Sequence, residues 1–288
     1  MLLRVSHLTR YYYSRPVSLS PHRIYLRPRE TPKHRLRSFR LEFTPLARFV
    51  HTRDEHDNDQ IWAYWSEPTS AVNIQSEFEI ETLDANPFDF LLRSDALGFP
   101  FAYAEGERAA LSPYLALPEP ATETRLRQWI AERMPAGPSD TLTFVAGLNS
   151  QVRNAIAYTR RDEHGILPPL QTLERGSGSC RDSATLLVDA LRTLGLAARF
   201  VSGYLHEPRP EQAAEAAPTA MHAWAEVYLP GAGWRGLDPT RGIFCNDAFV
   251  PVAHAGRGES VSPIQGSFAA SGPVSAELHA DIVVEKVG

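Results

Sequence analysis

The hydrophobic period of the chain changes part-way along it, and that change restricts the fold more than any single residue does. Over roughly the first 80 residues, short runs rich in Tyr, Phe, Trp, Ile and Val (LLRVSHLTRYYYS, HRIYLRPRE, RLRSFRLEFTP, IWAYWS, SAVNIQSEFEIE) alternate in part, separated by prolines and polar turns. Strands at this spacing predict a small sandwich-like β domain. Residues 85–120 mix apolar, Pro and Gly residues without a clean period and read as a connector ending at LPEP. The period then becomes helical over 121–133 and 140–158, where Leu148, Val152, Ala155 and Ile156 form one stripe. From Cys180 to Leu194, Ala184, Leu187, Val188, Leu191 and Leu194 share a face, and Gly195 stands where a C-cap belongs. Strand-like runs follow at 197–205, 222–229 and 234–238, with a Pro/Ala/Glu loop at 207–219 that is expected to be mobile. Short β signals return at 248–253 and 273–284. Helices followed by strands predict an α+β fold rather than a parallel βαβ array. The expected organisation is an N-terminal β-rich domain with connector over 1–115, then an α+β domain over 116–288 that includes the C-terminal strands.

Bulk properties exclude several function classes. A chain of 288 residues with a formal net charge of -5 and a pI near 6.1 is not built as a dedicated nucleic-acid binder. The charge is uneven: residues 1–40 carry ten Lys/Arg and one acid, Glu30, whereas 77–107 carry eight acids and only Arg93. Because Tyr, Leu, Ile and Phe interleave with the basic residues, two facing surfaces of one fold are expected rather than a basic arm. No apolar run approaches the roughly 18 residues of a membrane span, and the first residues lack the apolar core of a secretory signal, so the expected location is the cytoplasm. The cluster HTRDEHDNDQ (51–60) lacks the spacing of a calcium loop or of a helical zinc pair and reads as a solvated turn; no metal and no cofactor are expected.

Two cysteines are too few for a disulfide framework and form no metal pattern. Cys180 follows the turn GSGS and opens the best-formed amphipathic helix, where free amides and the helix dipole stabilise a thiolate. Gly176 and Gly178 would let the backbone approach a bound acyl group. In the strand HAWAEVYL, the alternation puts Ala223, Ala225, Val227 and Leu229 on the core face, and His222, Trp224, Glu226 and Tyr228 on the other. A PGAG turn returns the chain as WRGLD, so Asp238 should lie opposite or diagonal to His222, depending on register. A thiolate needs a base, and a base needs an orienting group; Cys180, His222 and Asp238 supply all three. A satisfied surface histidine and a turn aspartate explain His222 and Asp238 singly, but not their joint placement. Ser179, Tyr204 and Trp224 are candidates for lining the substrate cleft. Cys245, with no base near it in sequence, is expected to be a partly buried structural cysteine.

The stretches GSGSCRDSATLLVDALRTLGLAARFVSGYL and MHAWAEVYLPGAGWRGLDPT closely resemble the core of the bacterial transglutaminase-like (papain-like) family, in the order Cys, His, Asp. TRYYYSRPVSLSPHRIYLRPRE is similar to the opening of the β domain that often precedes this core, and DEHDN (54–58) resembles its Asp-x-x-Gly-Asn turn, with Asp57 in place of the glycine. The resemblance implies a papain-like core of helices packed on an antiparallel sheet. It implies Cys180 as nucleophile, His222 as general base and acid, and Asp238 as orienting group. It further implies a peptide or protein substrate and hydrolysis through a thioester, with transamidation by an amine as the alternative. A non-catalytic binding module on the same fold is a third reading, disfavoured by the intact triad. An arylamine-type acetyltransferase is a fourth, disfavoured by the absence of Arg-Gly-Gly-x-Cys. The Cys180 amide is expected as one oxyanion donor, with the second unassigned; the oligomeric state is not legible.

Overall fold

The computed structural model describes residues 1–161, 163–207 and 220–287. The first third of the chain is β structure, as its alternation predicts: Leu2–Leu19 (β1), His22–Ile24 (β2), His34–Thr44 (β3), Arg48–Arg53 (β4), Asp59–Tyr64 (β5) and Thr69–Thr82 (β6). β4 gave no sequence signal because every residue in it is exposed, leaving no apolar alternation to read. The connector contributes Gly98–Phe99 (β7) and a short helix, Glu105–Ala110 (α1). Then come Pro120–Ala131 (α2), Ser139–Asp140 (β8, paired with β7), Thr141–Ala155 (α3), Ala157–Tyr158 (β9), Pro169–Arg175 (α4), Ser177–Gly178 (β10) and Cys180–Thr193 (α5). Ala198–Leu205 (β11), His222–Leu229 (β12), Gly233–Asp238 (β13), Ile243–Phe244 (β14) and Phe249–Ala255 (β15) follow, then Ile264–Gln265 (β16), Phe268–Ala269 (β17) and Ala276–Lys286 (β18).

The architecture is α+β. One five-stranded sheet has the order β14-β13-β12-β11-β15, and its antiparallel pairs match the three runs expected at 197–205, 222–229 and 234–238. α5 packs on it, burying Ala184, Leu187, Val188 and Leu191 against Ala223, Ala225 and Val227. The N-terminal strands form two further sheets, one with β1 between β6 and β18 and β3 beyond β6, the other in the order β16-β2-β5-β4. Val17, Ile24, Ile61, Val72 and Ile74 fill the space between them as a sandwich core.

The C-terminal strands do not stay with the second half of the chain. β18 pairs with β1 along eleven positions and β16 with β2, so the tail completes the N-terminal sandwich. β1 and β6 also cross both cores. Leu3, Val5, Phe78 and Ile80 belong to the large cluster around α5, whereas Tyr13, Val17, Val72 and Ile74 belong to the sandwich. The basic and acidic stretches are not two opposed surfaces: their strands are neighbours in one sheet, where Arg4 meets Glu79 at 2.7 Å and Arg37 meets Glu81.

The DEHDN turn is also not merely a solvated turn. Asp57 has φ 60, the left-handed conformation that explains why a glycine fits there and why Asp is tolerated. Asn58 is fully buried; its amide donates to the His254 carbonyl at 2.8 Å and its Oδ1 accepts the His254 N–H at 2.9 Å, joining the turn to β15.

Candidate active site

Cys180 is the first residue of α5, 8% exposed, with Ser179 as N-cap. The turn before it is fixed by Asp182, a fully buried carboxylate that sequence reasoning passed over. Its Oδ2 accepts from the Ser179 N–H and Oγ at 2.8 Å each and from Arg161 Nε at 2.8 Å, while its Oδ1 accepts from the Leu167 N–H at 2.7 Å. Burial favours the neutral acid, but the Arg161 guanidinium and these donors outweigh it and hold the Asp182 carboxyl below the usual range. The signal for it was present: Ser-x-x-Asp ahead of an apolar stripe is a capping box. The glycines serve this turn. Gly176 ends α4 at φ 61, and a side chain at Gly178 would press within 3.0 Å of the Asp182 Cβ.

The His222 side chain comes to Cys180 from β12 and hydrogen-bonds it. Its Nε2 lies 2.9 Å from Asp238 Oδ2, which leaves Nδ1 turned to the thiol. The hairpin register pairs Ala225 with Leu237, so Asp238 falls one step on, diagonal to His222. Asp238 is fully buried, and its other oxygen accepts from the Thr240 N–H at 2.8 Å and Oγ1 at 2.7 Å. Burial by itself would lower the imidazole pKa; the bonds to Asp238 and Cys180, together with their charges, override it and raise His222 to about 10. The arrangement is a thiol, an imidazole held charged, and a carboxylate that fixes the imidazole.

The three residues expected to line a cleft are all buried. Tyr204 is fully buried with its hydroxyl 2.8 Å from His7 Nδ1, because Gly203 is the partner of His222 and its successor must point to the opposite face of the sheet. Trp224 is 2% exposed and lies under the imidazole, ring centroids 6.3 Å apart, so it supports His222 from below. Gly203 makes this possible: a Cβ there would meet the Trp224 ring at 2.6 Å. Both polar groups of Ser179 are occupied by Asp182. A residue the sequence did not single out lies within electrostatic reach of the thiol. Tyr158, 55% exposed, lies on β9, which pairs in parallel with the Ser177–Gly178 strand leading to Cys180. Burial, and then the charge of Cys180, push its hydroxyl pKa up. The Pro/Ala/Glu loop expected to be mobile falls, from residue 208 to 219, outside the described residues. Cys245 lies against Trp224 and Gly236, and burial pushes its thiol well up.

Residues 128–239, which hold all three of these side chains, match the model of the Transglutaminase-like superfamily, and residues 3–81 match that of the Bacterial transglutaminase-like N-terminal region. The chain is a transglutaminase-like protein of the bacterial type. Uncharacterised relatives of this transglutaminase-like chain occur in Mycobacterium tuberculosis, 28% identical over 91% of this chain and 86% of theirs, and in Mycobacterium leprae, 25% identical over 98% and 97%. A crystal structure from Cytophaga hutchinsonii, assigned provisionally to the cysteine proteases, has the same fold: TM-score 0.75 at 16% identity, covering 100% of this chain and 92% of that one. Family and fold together support a cysteine-dependent enzyme in general terms. No helix among the described residues is long and apolar enough to cross a membrane.

Proposed function

We propose that the protein is a cysteine peptidase or amidase in which Cys180 attacks a peptide or carboxamide carbonyl. The observation that carries this reading is the chain of contacts Cys180–His222–Asp238 at the start of α5, with the imidazole pKa raised to about 10. In the proposed reaction the Cys180 sulfur forms a bond to the carbonyl carbon as its proton rests on His222 Nδ1. The Cys180 amide, at the open end of the helix, donates to the oxyanion, and the Tyr158 hydroxyl serves as a second donor from β9. Collapse of the intermediate breaks the C–N bond, and His222 passes its proton to the leaving amine. Water then attacks the thioester, with His222 taking a proton from it, and the acid product leaves Cys180 free. Asp238 holds the imidazole in orientation and stabilises its charge throughout.

Transamidation differs only in the last step, where a primary amine replaces water. Peptide-library digestion with and without a primary amine, read by product mass, separates the two. Release of new termini that is absent in Cys180→Ala supports hydrolysis; amine-adduct masses in place of cleavage would replace it with transfer. Equal product from wild type and Cys180→Ala would remove the cysteine mechanism altogether.

A further inference from the structure

Three guanidinium groups stand around the candidate site, and the proposed chemistry gives none of them a task. Arg181 follows Cys180 on α5, Arg160 lies two residues past Tyr158, and Arg241 occupies the turn after β13. All three act electrostatically on the Tyr158 hydroxyl, which also feels the Cys180 charge. Arg181 Nη2 donates to the Arg161 and Glu163 carbonyls, which hold it without cancelling its charge. The nearby carboxylates are differently placed. Asp182 and Asp238 are fully buried, each among its own donors, and Glu163 pairs with Arg161 at 3.8 Å.

Arg241 is the most closely tied to the triad. Its turn is closed by the Gly242 N–H, which donates to the Asp238 carbonyl at 2.8 Å, with Gly242 at φ 72. The turn brings Arg241 Nε to 3.4 Å from Asp238 Oδ2, the same oxygen that meets His222. At the other end of the guanidinium, Nη2 pairs with Glu207, which follows β11. β12, which His222 opens, lies between β11 and β13 in the sheet. The Arg241–Glu207 pair therefore spans the end of the strand that carries the imidazole. Its side chains are 39% and 55% exposed, and an ion pair this open to water contributes little to stability. Burial meanwhile acts against the Arg241 cation. An incoming carboxylate can thus take the place of Glu207 at small cost and keep the guanidinium paired.

We propose that the site selects acidic peptides, with a carboxylate beside the scissile bond that Arg241 receives in exchange for Glu207. The inference rests on the cysteine-enzyme reading above and adds to it the charge class of the substrate. Arg160 and Arg181 reinforce the attraction from the Tyr158 side, and Glu207 keeps Arg241 in position until the substrate arrives.

The test compares alkylation of Cys180 by iodoacetate and by iodoacetamide in the full chain, read by peptide mapping. In both reactions the thiolate forms an S–C bond and iodide leaves, so the rate ratio cancels any change in nucleophilicity and reports charge preference alone. Arg241→Gln should lower the iodoacetate-to-iodoacetamide ratio about 3–10-fold, and Glu207→Gln should raise it about 2–5-fold. Arg127→Gln, which removes the same charge from an exposed position on α2, should leave the ratio unchanged. Among cleaved peptides, those with Asp or Glu beside the bond should exceed their Asn or Gln counterparts about tenfold in kcat/KM, a margin that Arg241→Gln erases. Should Arg241→Gln fail to fold, Glu207→Gln decides, a raised ratio supporting the exchange and an unchanged one overturning it. Fast labelling of Cys180 with a ratio that neither variant moves, or equal kcat/KM for acidic and amide peptides, would overturn the inference and leave the cysteine mechanism standing. Labelling of Cys180 no faster than Cys245 would remove both.

Discussion

Two fully buried aspartates stand behind the proposed site, one in each of the regions that build it. Asp182, in the turn that opens α5, accepts only from groups that fix the chain: the Ser179 cap, the Leu167 amide and the Arg161 guanidinium. Asp238, at the end of the hairpin, shares its acceptors between a titratable imidazole and the Thr240 cap. Burial of a carboxylate therefore does not distinguish an architectural acid from one that works on chemistry. What distinguishes them is whether a partner can change its proton count during a reaction. The same contrast separates the cysteines: Cys180 is bonded to His222, while Cys245 sits against Trp224 with its thiol pushed up by burial.

Removing the sulfur gives the largest effect. Cys180→Ala should lower kcat by about 10^4-fold or more in a peptide-hydrolysis assay, with the melting temperature little changed. Asp238→Asn follows, with a loss of about 10^2–10^4 in kcat/KM. It should also move the alkaline limb of the pH–rate profile down from about 10, because the partner that raises His222 most is weakened. The sign for stability follows from the same shift: the folded His222 value lies above its ordinary 6.5, so its contribution is complete below about 6.5 and lost as pH rises toward about 10. Asp182→Ala should do the reverse of Cys180→Ala, costing about 3–5 kcal/mol of stability in denaturant titration by leaving Arg161 with only the exposed Glu163 at 3.8 Å. If Asp182→Ala folds normally but is inactive, the division between the two aspartates is wrong. Asn58→Ala, which strips two bonds from β15, should cost about 1–3 kcal/mol in the same measurement. The smallest effect is on a rate ratio: iodoacetamide near neutral pH should label Cys180 at least about tenfold faster than Cys245, read by peptide mapping. Equal sluggishness would set the two thiols on the same footing and count against the nucleophile.

How much of this was legible in the sequence depends on the range of the interaction. α5, β12 and β13 were readable because each carries an intact local period, and the Cys-opening helix and His-bearing strand place their side chains through that period alone. The Asp238–His222 contact needed the hairpin register, which the PGAG turn left open and the Ala225–Leu237 pairing decided. Tyr204 was misplaced for a related reason: its strand is buried on both faces, so composition shows no preferred side, and only pairing with His222 reveals which way Gly203 and Tyr204 point. Trp224 was put on the correct face, but the sequence carries no information about the Phe249 ring and Gly203 backbone that bury it there.

The sequence by itself determined the α+β class, the order of the main elements and the candidates for the reactive residues, because these follow from near-neighbour periodicity and side-chain chemistry. The tertiary structure alone decided that β18 joins the sheet begun by β1, that Asn58 joins its turn to β15, and that Arg29 lies against His254. Each of those contacts joins residues about 170 or more positions apart. Their pairing depends on which hydrophobic faces the whole chain can bury together, a choice that no local window contains.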